Sequence, residues 1–206
     1  MNHLRFKDVL LALASAADHS VSLQRIQLQK FIYLHDILSA VWREIGKPNR
    51  FDPYKRGPYD RRIQNSVDAL AFRGFVDVTS LDVQGLSLTK ASYTLTQAGG
   101  ELISILVEDA VLREEYQLGR EIAIEIQRRG WRNLVDIVYS EPTYHKAKAA
   151  NDGRTLQAGS TNRNQTARLA RMFASSWGRT LERLPSKRVF VQTMFIVFDE
   201  IREASE

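Results

Sequence analysis

This chain predicts a mainly α-helical fold with one small β-hairpin, and three observations carry that prediction. Apolar residues recur at helical spacing through most of the 206 residues. Two alternating runs rich in β-branched residues, Phe75–Thr79 and Ser92–Thr96, stand close together. Glycines, prolines and small hydroxyl residues fall where such helices begin and end.

The elements follow in order. A first helix is expected over residues 4–17, with Phe6, Leu10, Leu13 and Ala17 as its buried stripe. Ser22 is read as the N-cap of a second helix over 23–43, whose apolar residues cover much of its circumference, as in a central core helix. Gly46 and Pro48 close it. The segment Phe51–Tyr59 is extended, because Pro53 and Pro58 disfavour helix at the residues before them. A third helix is expected to start at Pro58–Tyr59 and run to Arg73, with Ile63, Val67, Leu70 and Ala71 facing inward and Gly74 as its C-terminal glycine. The two alternating runs then make the hairpin, joined by a polar loop with Gly85 and Lys90, and Thr96 caps a further helix.

Three helices, a hairpin and another helix is the order of a winged helix–turn–helix. The phrases Leu70-Ala-Phe-Arg-Gly-Phe-Val76 and Tyr93-Thr-Leu-Thr-Gln-Ala-Gly99 fit the end of a recognition helix and the exit from a wing. A winged helix–turn–helix domain is therefore assigned to residues 1–105 and a basic helical C-terminal domain to 106–206. In the latter, 101–129 is helical with Gly119 as a candidate break, and Trp131–Tyr139 is a short helix ended by Pro142. Residues 151–165 read as a loop. A helix over 165–184 places Leu169, Phe173, Trp177 and Leu181 on one face and Arg168, Arg171 and Arg179 on another, before a last helix over Val189–Ala204.

Charge is unevenly spread. Residues 1–143 hold 18 basic and 18 acidic side chains, whereas residues 144–194 hold ten Lys/Arg against Asp152 and Glu182. Clustered positive charge attracts anionic partners, nucleic acid first among them. There are no cysteines, which excludes a disulfide framework and a thiolate zinc site and suits a reducing compartment. No stretch approaches a membrane span and the N-terminus lacks a signal-peptide pattern, so a cytoplasmic location is expected.

The third helix is the candidate reading head. Arg61, Arg62, Gln64 and Asn65 are residue types that pair with base edges in the major groove. The competing reading is a solvated face. Lys55 and Arg56 precede that helix and are open to phosphate contact, while Phe51, Tyr54 and Tyr59 are read as staples of the turn. Lys146, Lys148, Arg168, Arg171 and Arg179 form a second candidate group that tracks a DNA or RNA backbone, or an acidic protein surface. No catalytic residue, metal site or cofactor is assigned. His3, His19, His35 and His145 lack metal-ligand spacing, no phosphate-cradling glycine loop appears, and Asp136, Glu141 and Lys146 are spaced wrongly for a nuclease set.

The runs Leu28-Gln-Lys-Phe-Ile-Tyr-Leu34 and Phe51-Asp-Pro-Tyr-Lys-Arg-Gly-Pro-Tyr59 resemble the motif of the Panacea (SocA-like) antitoxin domains and the related YwgA-like proteins, over about residues 5–105. The Gly-Pro-Tyr ending is closer to the YwgA-like form. The resemblance implies a bacterial, non-enzymatic protein that acts on a partner protein encoded nearby, in toxin–antitoxin or phage-defence systems. It implies packing and turning roles for Leu28, Tyr33, Gly57 and Pro58. The first expectation is thus a winged-helix nucleic-acid-binding regulator or accessory subunit of a defence complex; the second is an antitoxin or adaptor that touches only protein. A homodimer is compatible with either.

Overall fold

Helix α1 (Phe6–Ala17) is enclosed, with every residue from Val9 to Ala16 buried. The expected stripe is too narrow: Ala17 is exposed and Phe6 only half-buried, because apolar or small residues fill all sides of the helix between them. The computed structural model describes residues 4–40, 50–54, 57–84, 87–150, 156–158, 164–181 and 185–204. The chain is mainly helical with small antiparallel sheets. It divides into two compact units, Met1–Ile32 with Asp60–Ile124 and Tyr33–Tyr59 with Glu125–Glu206.

In the first unit, strand β1 (Leu23–Gln24) precedes helix α2 (Arg25–Ser39), so the helix starts later than a Ser22 cap predicts. Leu23 and Gln24 are drawn into a sheet instead. Helix α3 (Arg61–Phe72) also starts later than expected. Asp60 is its N-cap and accepts from the Arg62 amide, while Pro58 lies upstream in a strand. At its other end Gly74 has φ +76, the left-handed conformation that glycine adopts without a Cβ clash.

Strands β4 (Val76–Gln84) and β5 (Ser87–Leu95) form the hairpin, longer than the two runs predicted, with register shifts at Val78/Ser80 and Asp82/Val83. The expected Gly85 loop falls outside the described residues, and Lys90 is in β5. β1 adds antiparallel to β5, giving the order β1-β5-β4. Helix α4 (Gln97–Leu106) is capped by Thr96, whose hydroxyl accepts from the Gly99 amide at 3.0 Å and donates to the Gly74 carbonyl at 2.7 Å. Helix α5 (Ala110–Arg129) runs through Gly119 without a break. The interruption lies at 107–109, where Asp109 accepts from the Leu112 amide and starts the new helix.

In the second unit, β2 (Arg50–Tyr54) lies between β3 (Gly57–Tyr59) and β6 (Leu156–Gln157). β6 corrects the reading of 151–165 as wholly loop. A 3-10 turn, Trp131–Asn133, leads into α6 (Leu134–Ser140). Pro142 does not only end that helix; it begins α7 (Pro142–Ala150), which the sequence reading missed. α8 (Gln165–Leu181) and α9 (Lys187–Glu203) complete the unit. At the start of α8 the buried residues are Thr166, Ala167 and Ala170, while Leu169 and Phe173 are half-buried, so the large apolar side chains do not form the deepest face there.

The N-termini of α7 and α8 are clasped to each other. Glu141 caps α7 by accepting from the Thr143 and Tyr144 amides at 2.9 and 2.8 Å. Asn164 caps α8 by accepting from the Ala167 amide at 2.8 Å. The second residue of each helix reaches the other's cap: Thr166 donates to Glu141 at 2.5 Å and Thr143 to Asn164 at 3.3 Å. Tyr33 adds its hydroxyl to Glu141 at 2.6 Å, and its ring meets Phe51 edge-on at 5.1 Å. Two isolated helix starts thereby become one buried network in which the orphan amides have acceptors.

Candidate nucleic-acid interface

The start of α3 is held from below by a buried polar cluster. Asp60, 5% exposed, is the centre. The Gln29 side-chain amide pairs with the Asp60 backbone in both directions, at 3.1 and 2.9 Å, as a strand partner would. Buried Arg5 lies 3.4 Å from the Asp60 carboxylate and 2.8 Å from Asp8, and its backbone amide donates to Ser66 on α3 at 2.6 Å. These bonds fix the helix axis and leave Ile63, Val67 and Leu70 facing the core.

The four predicted reading residues then divide by position. Arg62 folds back onto Asp60, with Nη2 2.7 Å and Nε 2.9 Å from the carboxylate oxygens, so its guanidinium serves the cap. The Gln64 amide donates to Asp68 at 2.8 Å and to the Tyr93 hydroxyl at 3.2 Å. The Arg61 and Asn65 side chains are exposed and make no hydrogen bond or ion pair to another described residue. The outward face thus offers one cation and one amide. Near the C-terminal end of the helix, Phe72 is 93% exposed, and Arg73 lies over the Phe6 ring at 5.3 Å. Sequence reasoning missed Phe72, although a large apolar residue off the Ile63–Val67–Leu70 stripe was visible as a signal.

Buried Lys30 has no place in this outward face. Its ammonium is pushed down to about 7 by burial, which disfavours the charged form.

In the second unit, Lys146 and Lys148 are exposed on α7, and Arg168 and Arg171 on α8. None of these four makes an ion pair with a carboxylate among the described residues. Arg168 and Arg171 are three residues apart and share a helix face with exposed Ser175. Arg179 lies further along α8. Lys148 sits with its ammonium 4.5 Å from the Tyr139 ring centroid, and Tyr139 stacks on Tyr144 at 5.3 Å. Burial, then the neighbouring Tyr139, raises the Tyr144 phenol above its ordinary value. Lys55 and Arg56 lie outside the described residues.

Among the described residues, no helix is long and apolar enough to cross a membrane, and no three side chains gather as metal ligands. No protein-family model and no curated protein matches this chain.

Proposed function

We propose that the chain is a winged-helix protein that binds nucleic acid without catalysing a reaction, as a regulator or an accessory subunit of a bacterial defence complex. The observation that carries the reading is the set of exposed cations on α7 and α8, Lys146, Lys148, Arg168 and Arg171, none of which makes an ion pair with a described carboxylate. Phosphate contacts from such residues give affinity without reading sequence. The winged-helix part rests on the order α1-β1-α2, then α3-β4-β5 after the inserted β2 and β3 of the second unit, and on β1 joining the hairpin as the third strand of β1-β5-β4. In that architecture α3 is the groove-reading helix, and Arg61 and Asn65 are its outward polar groups.

The test is fluorescence anisotropy of duplex DNA and RNA against the full chain as salt is raised. With about four phosphates neutralised, affinity falls on the order of a hundredfold between 50 and 200 mM salt. Absence of binding to either nucleic acid at low salt rejects the reading.

One observation favours a second reading, an antitoxin or adaptor that acts through protein contacts, in keeping with the resemblance of the Leu28–Leu34 and Phe51–Tyr59 runs. Phe72 is almost wholly exposed on α3, and large apolar side chains of that kind anchor protein interfaces. Under this reading Phe72→Ala abolishes co-purification with a neighbouring gene product and leaves any nucleic-acid affinity unchanged.

A further inference from the structure

A pocket of about 460 Å³ opens in the second unit, lined from α6, α7 and α9. That volume lies within the range of small-ligand sites, about 300–1,000 Å³. α6 contributes Asp136, Tyr139 and Ser140, α7 contributes His145 and Lys148, and α9 contributes Arg202.

The lining separates into two chemistries. Lys148 and Arg202 supply positive charge, and both are held by neighbours. The Lys148 ammonium rests over the Tyr139 ring, 4.5 Å from its centroid. Arg202 is steadied by Asp199, Nη2 to Oδ1 at 3.4 Å, and Asp199 is itself shared with Arg129 at 2.8 Å. One contact leaves most of a guanidinium's five donors for an anion. His145, exposed at the rim, adds a further nitrogen.

The opposite chemistry comes from α6. Asp136 presents a carboxylate, and the Ser140 hydroxyl spends its proton on the Asp136 and Ile137 carbonyls at 3.2 and 3.0 Å. Ser140 therefore offers lone pairs. Both residues accept hydrogen bonds, which suits hydroxyl groups and repels a second anionic centre. The aromatic ring among the described lining residues, Tyr139, is already engaged by Tyr144, stacked at 5.3 Å, and by the Lys148 ammonium.

We propose that this pocket binds a phosphate carried on a hydroxylated sugar, with Lys148 and Arg202 on the phosphate and Asp136 and Ser140 on the sugar hydroxyls. Cations alone would take any anion; the paired acceptors select a polyol phosphate, and the covered aromatic ring disfavours recognition through a base. The source is either a free sugar phosphate or the phosphorylated end of a nucleic-acid strand. The proposal shares Lys148 with the nucleic-acid reading above but does not rest on it, because Arg202, Asp136 and Ser140 have no part in that reading.

The test is calorimetric titration of the full chain with ribose 5-phosphate, ribose, inorganic phosphate, and an oligonucleotide with or without a 5′-phosphate. Ribose 5-phosphate is expected to saturate, with ribose at least about tenfold weaker. Arg202→Gln and Lys148→Gln each weaken it about tenfold without lowering the melting temperature of the exposed Lys148 variant. Asp136→Asn weakens ribose 5-phosphate more than inorganic phosphate. A preference for the 5′-phosphorylated oligonucleotide that Arg202→Gln abolishes assigns the phosphate to a strand end; saturation by ribose 5-phosphate alone assigns it to a free metabolite. The proposal is overturned if neither ribose 5-phosphate nor the 5′-phosphorylated oligonucleotide binds saturably, or if binding is the same in wild type and in both the Arg202→Gln and Lys148→Gln variants. Neither result bears on duplex affinity measured through Arg168 and Arg171.

Discussion

Tyr33 donates its phenolic hydrogen bond to the fully buried carboxylate of Glu141 at 2.6 Å, across 108 positions of sequence. Glu141 also accepts from Thr166 and from two amides of α7, so each of its oxygens takes two hydrogen bonds. Burial, and then the Glu141 carboxylate beside it, holds the Tyr33 phenol well above its ordinary value. Removing one donor leaves a buried acceptor short of a partner. Tyr33→Phe is expected to cost about 1–3 kcal/mol. Glu141→Ala, which strips the cap of α7 and the partner of Thr166 together, costs more. Urea unfolding of the two variants checks the order, and a Tyr33→Phe variant as stable as wild type refutes the network's importance.

Lys30 gives stability a pH dependence of known sign. Its folded value, about 7, lies below the 10.5 of the free side chain. Between those values the unfolded chain holds a proton that the folded chain has released, so stability rises with pH. Below pH 7 both states are protonated and the cost of the buried charge is present in full. The whole gain, at about 1.4 kcal/mol per unit, is at most about 5 kcal/mol. Unfolding free energies measured from pH 7 to 9.5 are expected to climb, and Lys30→Met is expected to flatten the slope. A slope that survives the substitution assigns it to other groups.

The fold was legible where local chemistry and tertiary packing ask for the same thing. Gly74 after α3 and Thr96 before α4 were readable because a left-handed turn and an N-cap are local needs that few residues meet. The start of α3 was misplaced because Pro58 also suits a helix start, and only the long-range pairing of Asp60 with Gln29 and Arg5 decides for Asp60. α7 was missed for a similar reason. Pro142 reads equally as a stop or a first-turn residue, and what settles it is Glu141 at the junction with Thr166 and Tyr33. At the candidate interface, residue type was readable and availability was not. Nothing in the local sequence says that Arg62 is spent on Asp60 while its neighbour Arg61 faces outward.

Gly99 explains the last glycine of the Tyr93–Gly99 phrase. A Cβ at this position would collide with the backbone carbonyl oxygen of Phe75, which also accepts from the Thr96 amide at 3.2 Å. The helix start presses directly on the start of the hairpin, and backbone cannot swing aside as a side chain can. Gly99→Ala is expected to cost about 1–3 kcal/mol by overpacking. Gly74→Ala meets no neighbour within 4 Å and pays only for its positive φ, about 1–2 kcal/mol. Thermal melts of both variants test the distinction, since a Gly99→Ala protein as stable as wild type contradicts the close approach.

Arg61 and Arg62 are adjacent in sequence but are expected to fail in different assays. Arg62 neutralises Asp60 and stiffens the first turn of α3. Arg62→Ala leaves that buried carboxylate with Arg5 at 3.4 Å and with the cap amide, so part of the pairing survives. The loss is expected to be about 1–2 kcal/mol of stability, with nucleic-acid affinity changing only as the folded fraction does. Arg61 has no such partner among the described residues. Arg61→Ala is expected to leave the melting temperature unchanged and to lower duplex affinity, with the salt slope reduced by about one if the contact is to phosphate. If the contact is to a base edge, the slope stays and discrimination between sequences falls instead. Paired measurements of melting temperature and salt-dependent anisotropy on the two variants separate these outcomes. An Arg61→Ala protein that binds every duplex as wild type does removes α3 from the interface and leaves α7 and α8 to carry the affinity alone.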